Sequence, residues 1–131
     1  MDEHFEQVQP SVFAGSATWH TLYSFITKYV PTPENKRLYK RWIELTLMLF
    51  PCESCSVHAM AQFRKHNIDN YMQNAERLYL YISGILQEGA NDHKHVPMED
   101  RPNYYDRKRF FFESMNGACE ACSMSKSSAR P

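Results

Sequence analysis

The chain has 131 residues, a length typical of one domain, and 43% of them are hydrophobic, which is enough to form a core. Its 15 basic and 15 acidic residues balance, so the basic excess of a nucleic-acid-binding protein is missing. No apolar run is long enough to span a membrane, and the acidic N-terminus resembles neither a signal peptide nor a transit peptide. We therefore expect a cytoplasmic protein with no nucleic-acid partner, no membrane span and no signal peptide.

The predicted elements are all helices. Apolar residues at three- and four-residue spacing predict a first helix over residues 16–30. Pro31 and Pro33 then break the pattern, and Thr32 is a suitable cap for a second helix that ends at Pro51. We expect the second helix to direct four residues inward: Leu38, Trp42, Leu45 and Leu49.

Pro51 also opens a third helix, whose inner face carries Cys52, Cys55, Ala59 and Phe63. A fourth helix has a longer apolar stripe, made of Leu78, Tyr81, Ile82, Ile85 and Leu86. It is expected to end near Gly89 and Asn91, and a shorter helix follows over residues 104–114. Beyond Gly117 the residues are small and polar, which is typical of a flexible tail. The sequence thus predicts an all-α fold, a four-helix bundle with a short fifth helix and a flexible C-terminal tail.

The four cysteines form two CxxC pairs, Cys52/Cys55 and Cys119/Cys122. Structural disulfides are disfavoured in a reducing cytosol, which leaves a metal site or redox chemistry. Zinc sites made of two such pairs usually have about 15–20 residues between them, whereas 63 residues separate these pairs. Pro51 places the first pair at a helix start, where unpaired amides and the helix dipole lower the pKa of a thiol. This pattern favours a redox-active pair.

Three blocks of the sequence carry a resemblance to a known family. They are Gly15-Ser-Ala-Thr-Trp19, Tyr29 followed within two residues by a proline, and Phe50-Pro51-Cys52-Glu-Ser-Cys55-Ser-Val-His58. Similar blocks in the same order mark the Erv/ALR family of FAD-dependent sulfhydryl oxidases, which this chain resembles over about residues 13–97. The likeness weakens after Phe63.

The resemblance implies an enzyme that forms disulfide bonds in protein substrates. Cys52 would exchange with the dithiols of those substrates and Cys55 would lie against FAD, with O2 as the final electron acceptor and H2O2 as the product. Cys119 and Cys122 would form a shuttle disulfide on the tail. The resemblance also implies a homodimer, and FAD contacts from seven residues: Gly15, Thr18, Trp19, Tyr23, His58, Tyr81 and Lys94.

The sequence departs from the family mainly in the fourth helix. The His-Asn-x-Val-Asn element of the family aligns with Leu86-Gln-Glu-Gly-Ala90, which retains none of its key residues, and Ser16 replaces an arginine. Short viral members similarly lose parts of this element, so we infer a viral source, with the host cytoplasm or the virion as the location. The resemblance divides the chain into an N-terminal arm, 1–12, an oxidase domain, 13–115, and a tail, 116–131, that carries the second CxxC pair.

Two alternatives remain open. In the first, Cys52 and Cys55 bind zinc together with Cys119 and Cys122, or with His58, in a non-enzymatic helical interaction module. In the second, the chain is a degenerate family member without FAD, and its cysteines pass electrons to another protein by thiol–disulfide exchange.

Overall fold

All regular secondary structure in the computed structural model is helical within the residues that it describes, which are 10–114 without the side chains of residues 10–14 and Ser16. The expected all-α fold, a four-helix bundle followed by a fifth helix, is confirmed for this part of the chain. The Cys119/Cys122 pair and most of the predicted N-terminal arm lie outside the described residues.

The first helix, α1, spans Pro10–Ile26, so it begins and ends earlier than the predicted 16–30. Pro10 suits a first helical turn because its missing N–H needs no partner there. At the other end the Tyr29 amide bonds to the Ile26 carbonyl at 3.0 Å in a turn. Tyr29 is still buried, and its hydroxyl donates to the Met72 carbonyl at 2.7 Å. The apolar spacing therefore continued past the helix because a turn residue also belongs to the core.

The second helix, α2, spans Pro33–Met48 and has the predicted cap, because the Thr32 hydroxyl accepts a hydrogen bond from the Asn35 amide at 3.1 Å. Its buried residues are Ile43 and Leu47.

The inward orientation predicted for two leucines of this region is wrong, since Leu38 is 53% exposed and Leu49 is 77% exposed. The buried face is defined by Ile43 and Leu47, whereas Trp42 and Leu45 of the predicted stripe are half-buried, and Leu49 lies beyond the last helical residue, Met48.

The third helix, α3, spans Glu53–Lys65, and a short 3-10 helix, Ile68–Tyr71, follows it. The fourth helix, α4, is continuous over residues 75–93. It consists of an α-helical start, Ala75–Tyr81, a π-helical segment, Ile82–Gln87, and an α-helical end, Glu88–His93. Most of the predicted stripe is buried, but Tyr79 and Ser83 join it and Ile85 is only half-buried.

Helix α4 runs past Gly89 and Asn91, where the sequence predicts its end. A side chain at Gly89 would place its Cβ 3.4 Å from Gln62 Cγ, so glycine permits the close approach of α3. The Arg101 guanidinium also donates to Glu88 Oε2 and Asp92 Oδ1, at 2.8 Å each, and so supports the last turns of α4.

The chain divides into two compact units at Arg101. The first contains α1 to α4, and the described part of the second contains the predicted fifth helix, α5, over residues 104–114. The oxidase domain expected over 13–115 therefore includes residues of both units. None of the described helices combines the length and the apolar character that a membrane span requires.

A core hydrogen bond gives a direct test of the bundle. Tyr81 is fully buried, and its hydroxyl donates to the His66 carbonyl at 2.8 Å. We expect Tyr81→Phe to lower the free energy of unfolding by about 1–2 kcal/mol, because the carbonyl loses its partner. Urea denaturation measures the change. The control is Tyr105→Phe, whose ring is 71% exposed; a loss as large in this variant would contradict the assignment.

Candidate active site

The predicted cysteine pair lies at the start of α3. Cys52 is the N-cap residue, with φ −86° and ψ 110°, and its Sγ accepts a hydrogen bond from the Cys55 amide at 3.4 Å. Pro51 precedes this cap, and both cysteines are free thiols in the structure. The sulfur of Cys52 thus occupies the position where a helix offers unpaired N–H groups and the positive end of its dipole.

The two thiols differ in acidity. The pKa of Cys52 is lowered to about 7, first by a hydrogen bond from the Cys55 thiol and then by hydrogen bonds from the Ser54 hydroxyl and the Cys55 amide. The pKa of Cys55 is raised, mainly because burial disfavours its thiolate and also because it donates to Cys52. Near neutral pH, Cys52 is therefore the more nucleophilic sulfur of the pair.

A cleft lies beside Cys55, which is half-buried. The cleft has a cavity volume of ≈ 30 Å³, and nine residues line it: Thr18, Trp19, Thr46, Leu47, Phe50, Cys55, Ala59, Ala90 and Lys94. All four helices of the bundle contribute to this lining. Cys55 belongs to the lining and Cys52 does not, so the two sulfurs have different surroundings.

Four of the predicted FAD-binding residues surround the cleft. Thr18, Trp19 and Lys94 line it together with Cys55. Gly15 borders it, since a Cβ built at Gly15 would lie 3.6 Å from Phe50 Cζ and 3.8 Å from Lys94 Nζ. The structure therefore brings these residues together around one of the two thiols.

The two tyrosines predicted to bind FAD, Tyr23 and Tyr81, are core residues that do not line the cleft. The Tyr23 hydroxyl donates to Gln87 Oε1, and its ring lies 5.0 Å from that of Tyr79. Tyr81 donates to the His66 carbonyl, and burial raises its pKa. Their packing and hydrogen bonds account for both residues without a cofactor.

His58, also predicted to bind FAD, lies away from the cleft. Its ring stacks on that of His93, with centroids 4.5 Å apart and an angle of 17° between the planes. Both histidines line a separate, open groove with Glu53, Val57 and other residues of α3. The buried Nε2 atom of His58 has no hydrogen-bond partner among the described residues.

Sequence reasoning did not identify five residues of the cleft as site residues: Thr46, Leu47, Phe50, Ala59 and Ala90. Phe50 and Ala59 could have been found, because one precedes the Pro-Cys motif and the other lies one helical turn after Cys55. Ala90 could not, because it follows the π-helical segment of α4, which shifts the helical register.

A zinc site built from all four cysteines involves Cys119 and Cys122, which lie outside the described residues. Within residues 10–114, no three His, Cys, Asp or Glu residues are grouped closely enough to hold a metal ion.

The difference in acidity predicts selective alkylation of the reduced protein. We expect iodoacetamide to modify Cys52 with a half-maximal rate near pH 7, and Cys55 to react more slowly at that pH. Ser54→Ala should move the Cys52 midpoint to higher pH because the thiolate loses a hydrogen-bond donor. Mass spectrometry of the tryptic peptide 42–64 measures both sites. Ser24→Ala on α1 is the control, and equal rates at the two cysteines would contradict the prediction.

Comparison with known proteins does not assign a family. No family model, no curated protein and no solved structure matches the chain. The likeness to the Erv/ALR family therefore stays an expectation from the sequence, and a proposed function has to rest on the residues of the cleft and of the cysteine pair.

Proposed function

We propose that the chain is a thiol oxidase that forms disulfide bonds in protein substrates. In this proposal, Cys52 and Cys55 take two electrons from a substrate dithiol and pass them through FAD to O2. The proposal rests on the difference between the two thiols at the start of α3. The more acidic thiol, Cys52, caps the helix, and its partner, Cys55, lines a cleft with aromatic side chains.

The residues of the cleft suit the ring system of a flavin. Trp19, Phe50 and Leu47 supply apolar surface, while Thr18 and Lys94 supply polar groups. The cavity volume of ≈ 30 Å³ is far below the range of about 300–1,000 Å³ typical of ligand pockets, so a bound flavin would require the lining side chains to move apart. Bound there, FAD would supply an acceptor for two electrons that O2 can reoxidise, with H2O2 as the product.

The chain's own residues carry out the exchange with the substrate. With the pair oxidised, a substrate thiolate attacks Cys52 Sγ, the bond between the two sulfurs breaks, and its electron pair leaves on Cys55 Sγ. The second substrate thiolate then attacks the substrate sulfur of the mixed disulfide and releases Cys52 as a thiolate. A pKa of about 7 makes Cys52 a good leaving group in this second step.

Parts of the proposal rest on the sequence alone. These are the shuttle role of Cys119 and Cys122, the homodimer, the viral source, and the location in the host cytoplasm or the virion. The loss of the His-Asn element over Leu86–Ala90 supports a second candidate, thiol–disulfide exchange without FAD. The same purified protein distinguishes the two candidates.

The purified full-length chain should absorb near 450 nm, as flavins do, and should consume O2 when a dithiol is supplied. We expect Cys55→Ser to abolish oxidation of every substrate, because the pair can no longer form a disulfide. Cys119→Ser should slow oxidation of proteins but spare small dithiols, which can reach Cys52 directly. A colourless protein that still reduces disulfides would support the second candidate, and a colourless protein with bound zinc would support the interaction module.

Blocking the cleft should remove the flavin and leave the fold intact. Ala90→Phe puts a ring into the cleft, so we expect flavin per chain to fall severalfold while circular dichroism stays helical. Ala61→Phe is the matched control, because Ala61 is an exposed residue of α3 that lines the separate groove with His58. Unchanged flavin content in Ala90→Phe would place the cofactor elsewhere.

A further inference from the structure

One cation, Lys94, lines the same cleft as Cys55. Lys94 follows α4 directly, and its amide bonds to the Ala90 carbonyl at 3.0 Å. Among the nine residues that line the cleft, Lys94 is the one with a permanently charged side chain at neutral pH. Its Nζ lies near the wall formed by Gly15 and Phe50, 3.8 Å from where a Cβ of Gly15 would lie.

The charge of Lys94 is not neutralised by the acidic residues on the same helix. Glu88 and Asp92 both bind the Arg101 guanidinium at 2.8 Å. Within residues 10–114, no carboxylate forms an ion pair with Lys94. The field of its ammonium group therefore acts on the cleft without a competing partner in this part of the chain.

The remaining surroundings of Cys55 contain few ionisable groups. The lining residues from α1 and α2 are Thr18, Trp19, Thr46 and Leu47, none of which carries charge. The start of α3 contributes the Cys52 thiol. The carboxylate next to it in the chain, Glu53, lines the separate groove. The pKa of Cys55 is raised mainly by burial and next by its hydrogen bond to Cys52, and Lys94 is the largest of the causes that lower it.

We propose that Lys94 acts as the counter-ion of the Cys55 thiolate and thereby assists the departure of Cys55 Sγ when a substrate thiolate attacks Cys52. The inference rests on the proposed function for its reaction, the attack of a thiolate on the oxidised pair. It differs from the cofactor contact expected for Lys94 from the sequence, because its target is a sulfur of the chain itself.

The chemistry shows where the charge is needed. A substrate thiolate forms a bond to Cys52 Sγ as the Cys52–Cys55 bond breaks, and both electrons of the broken bond go to Cys55 Sγ. That sulfur is half-buried and gains a full negative charge. An ammonium group stabilises this charge more strongly at a partly buried site than it would in bulk water, because the effective dielectric constant is lower there. Lys94 also lowers the pKa of Cys52, but as the smallest of the causes there, whereas it is the largest of the causes that lower the pKa of Cys55.

Alkylation of single thiols tests the proposal without any cofactor. In the reduced full-length Cys52→Ser variant, the rate of iodoacetamide alkylation of Cys55 is followed against pH on peptide 42–64. Adding Lys94→Met should move the midpoint to higher pH and slow alkylation at pH 8 by about threefold, which corresponds to about half a pKa unit. Lys94→Arg should restore the profile, because it restores the charge.

Two controls separate charge from structure. Lys65→Met removes a lysine ten residues after Cys55 on α3, about 15 Å away by the helical rise and beyond the screening length of about 8–10 Å, so it should leave the profile unchanged. In a Cys55→Ser background, Lys94→Met should shift Cys52 less than it shifts Cys55. Circular dichroism verifies that each variant is folded, with Lys94→Gln as a second uncharged variant.

An unchanged Cys55 profile in folded Lys94→Met and Lys94→Gln would overturn the proposal, and so would a larger shift at Cys52 than at Cys55. Failure of the proposed function would give a different experimental result from failure of the role proposed for Lys94. A protein without flavin or O2 consumption would contradict the oxidase, whereas the alkylation profile of Cys55 would still report the interaction with Lys94.

Discussion

The hydrogen bond from the Cys55 amide to Cys52 Sγ connects the fold to its chemistry. It makes a sulfur the cap of α3, so the start of a helix and the acidity of a thiol depend on the same contact. The fold holds this helix start in place, because the Ser56 hydroxyl donates to the Leu47 carbonyl of α2 at 2.7 Å. Everything proposed for the pair follows from this arrangement, in which Cys52 caps the helix and Cys55 lines the cleft.

Cys52 and Cys55 differ in acidity and in surroundings, so the two sulfurs would have different roles in the proposed exchange reaction. Hydrogen bonds lower the pKa of Cys52, and burial raises the pKa of Cys55. The cleft beside Cys55 combines aromatic surface with one cation, Lys94. Arg101 contributes indirectly, because it binds the acidic side chains at the end of α4. For the proposed oxidase, a half-buried sulfur, an apolar wall and an ammonium group without a carboxylate partner among residues 10–114 would together suit electron transfer away from a dithiol.

Much of this arrangement could be predicted from the sequence. Local signals located the Thr32 cap and placed the cysteine pair at the start of a helix, and the apolar spacing located the helices, but the capping role of Cys52 was not predicted. The composition of the cleft was harder to predict, because the π-helical segment of α4 adds a residue to the turn and alters which later residues face α3. The hydroxyl of Tyr81 finds a carbonyl partner fifteen residues earlier in the chain, a long-range contact that no local pattern reveals.

Trapping a mixed disulfide tests the central claim most directly. With the reduced Cys55→Ser variant and a polypeptide that carries an exposed disulfide, such as insulin, the Cys52 thiolate attacks the disulfide and no second thiol of the pair can release the product. The account predicts a stable adduct on Cys52 within peptide 42–64, and little or no adduct on Cys55 in the reciprocal Cys52→Ser variant. Equal trapping at both positions, or trapping at Cys55 alone, would contradict the assignment of Cys52 as the exchanging sulfur.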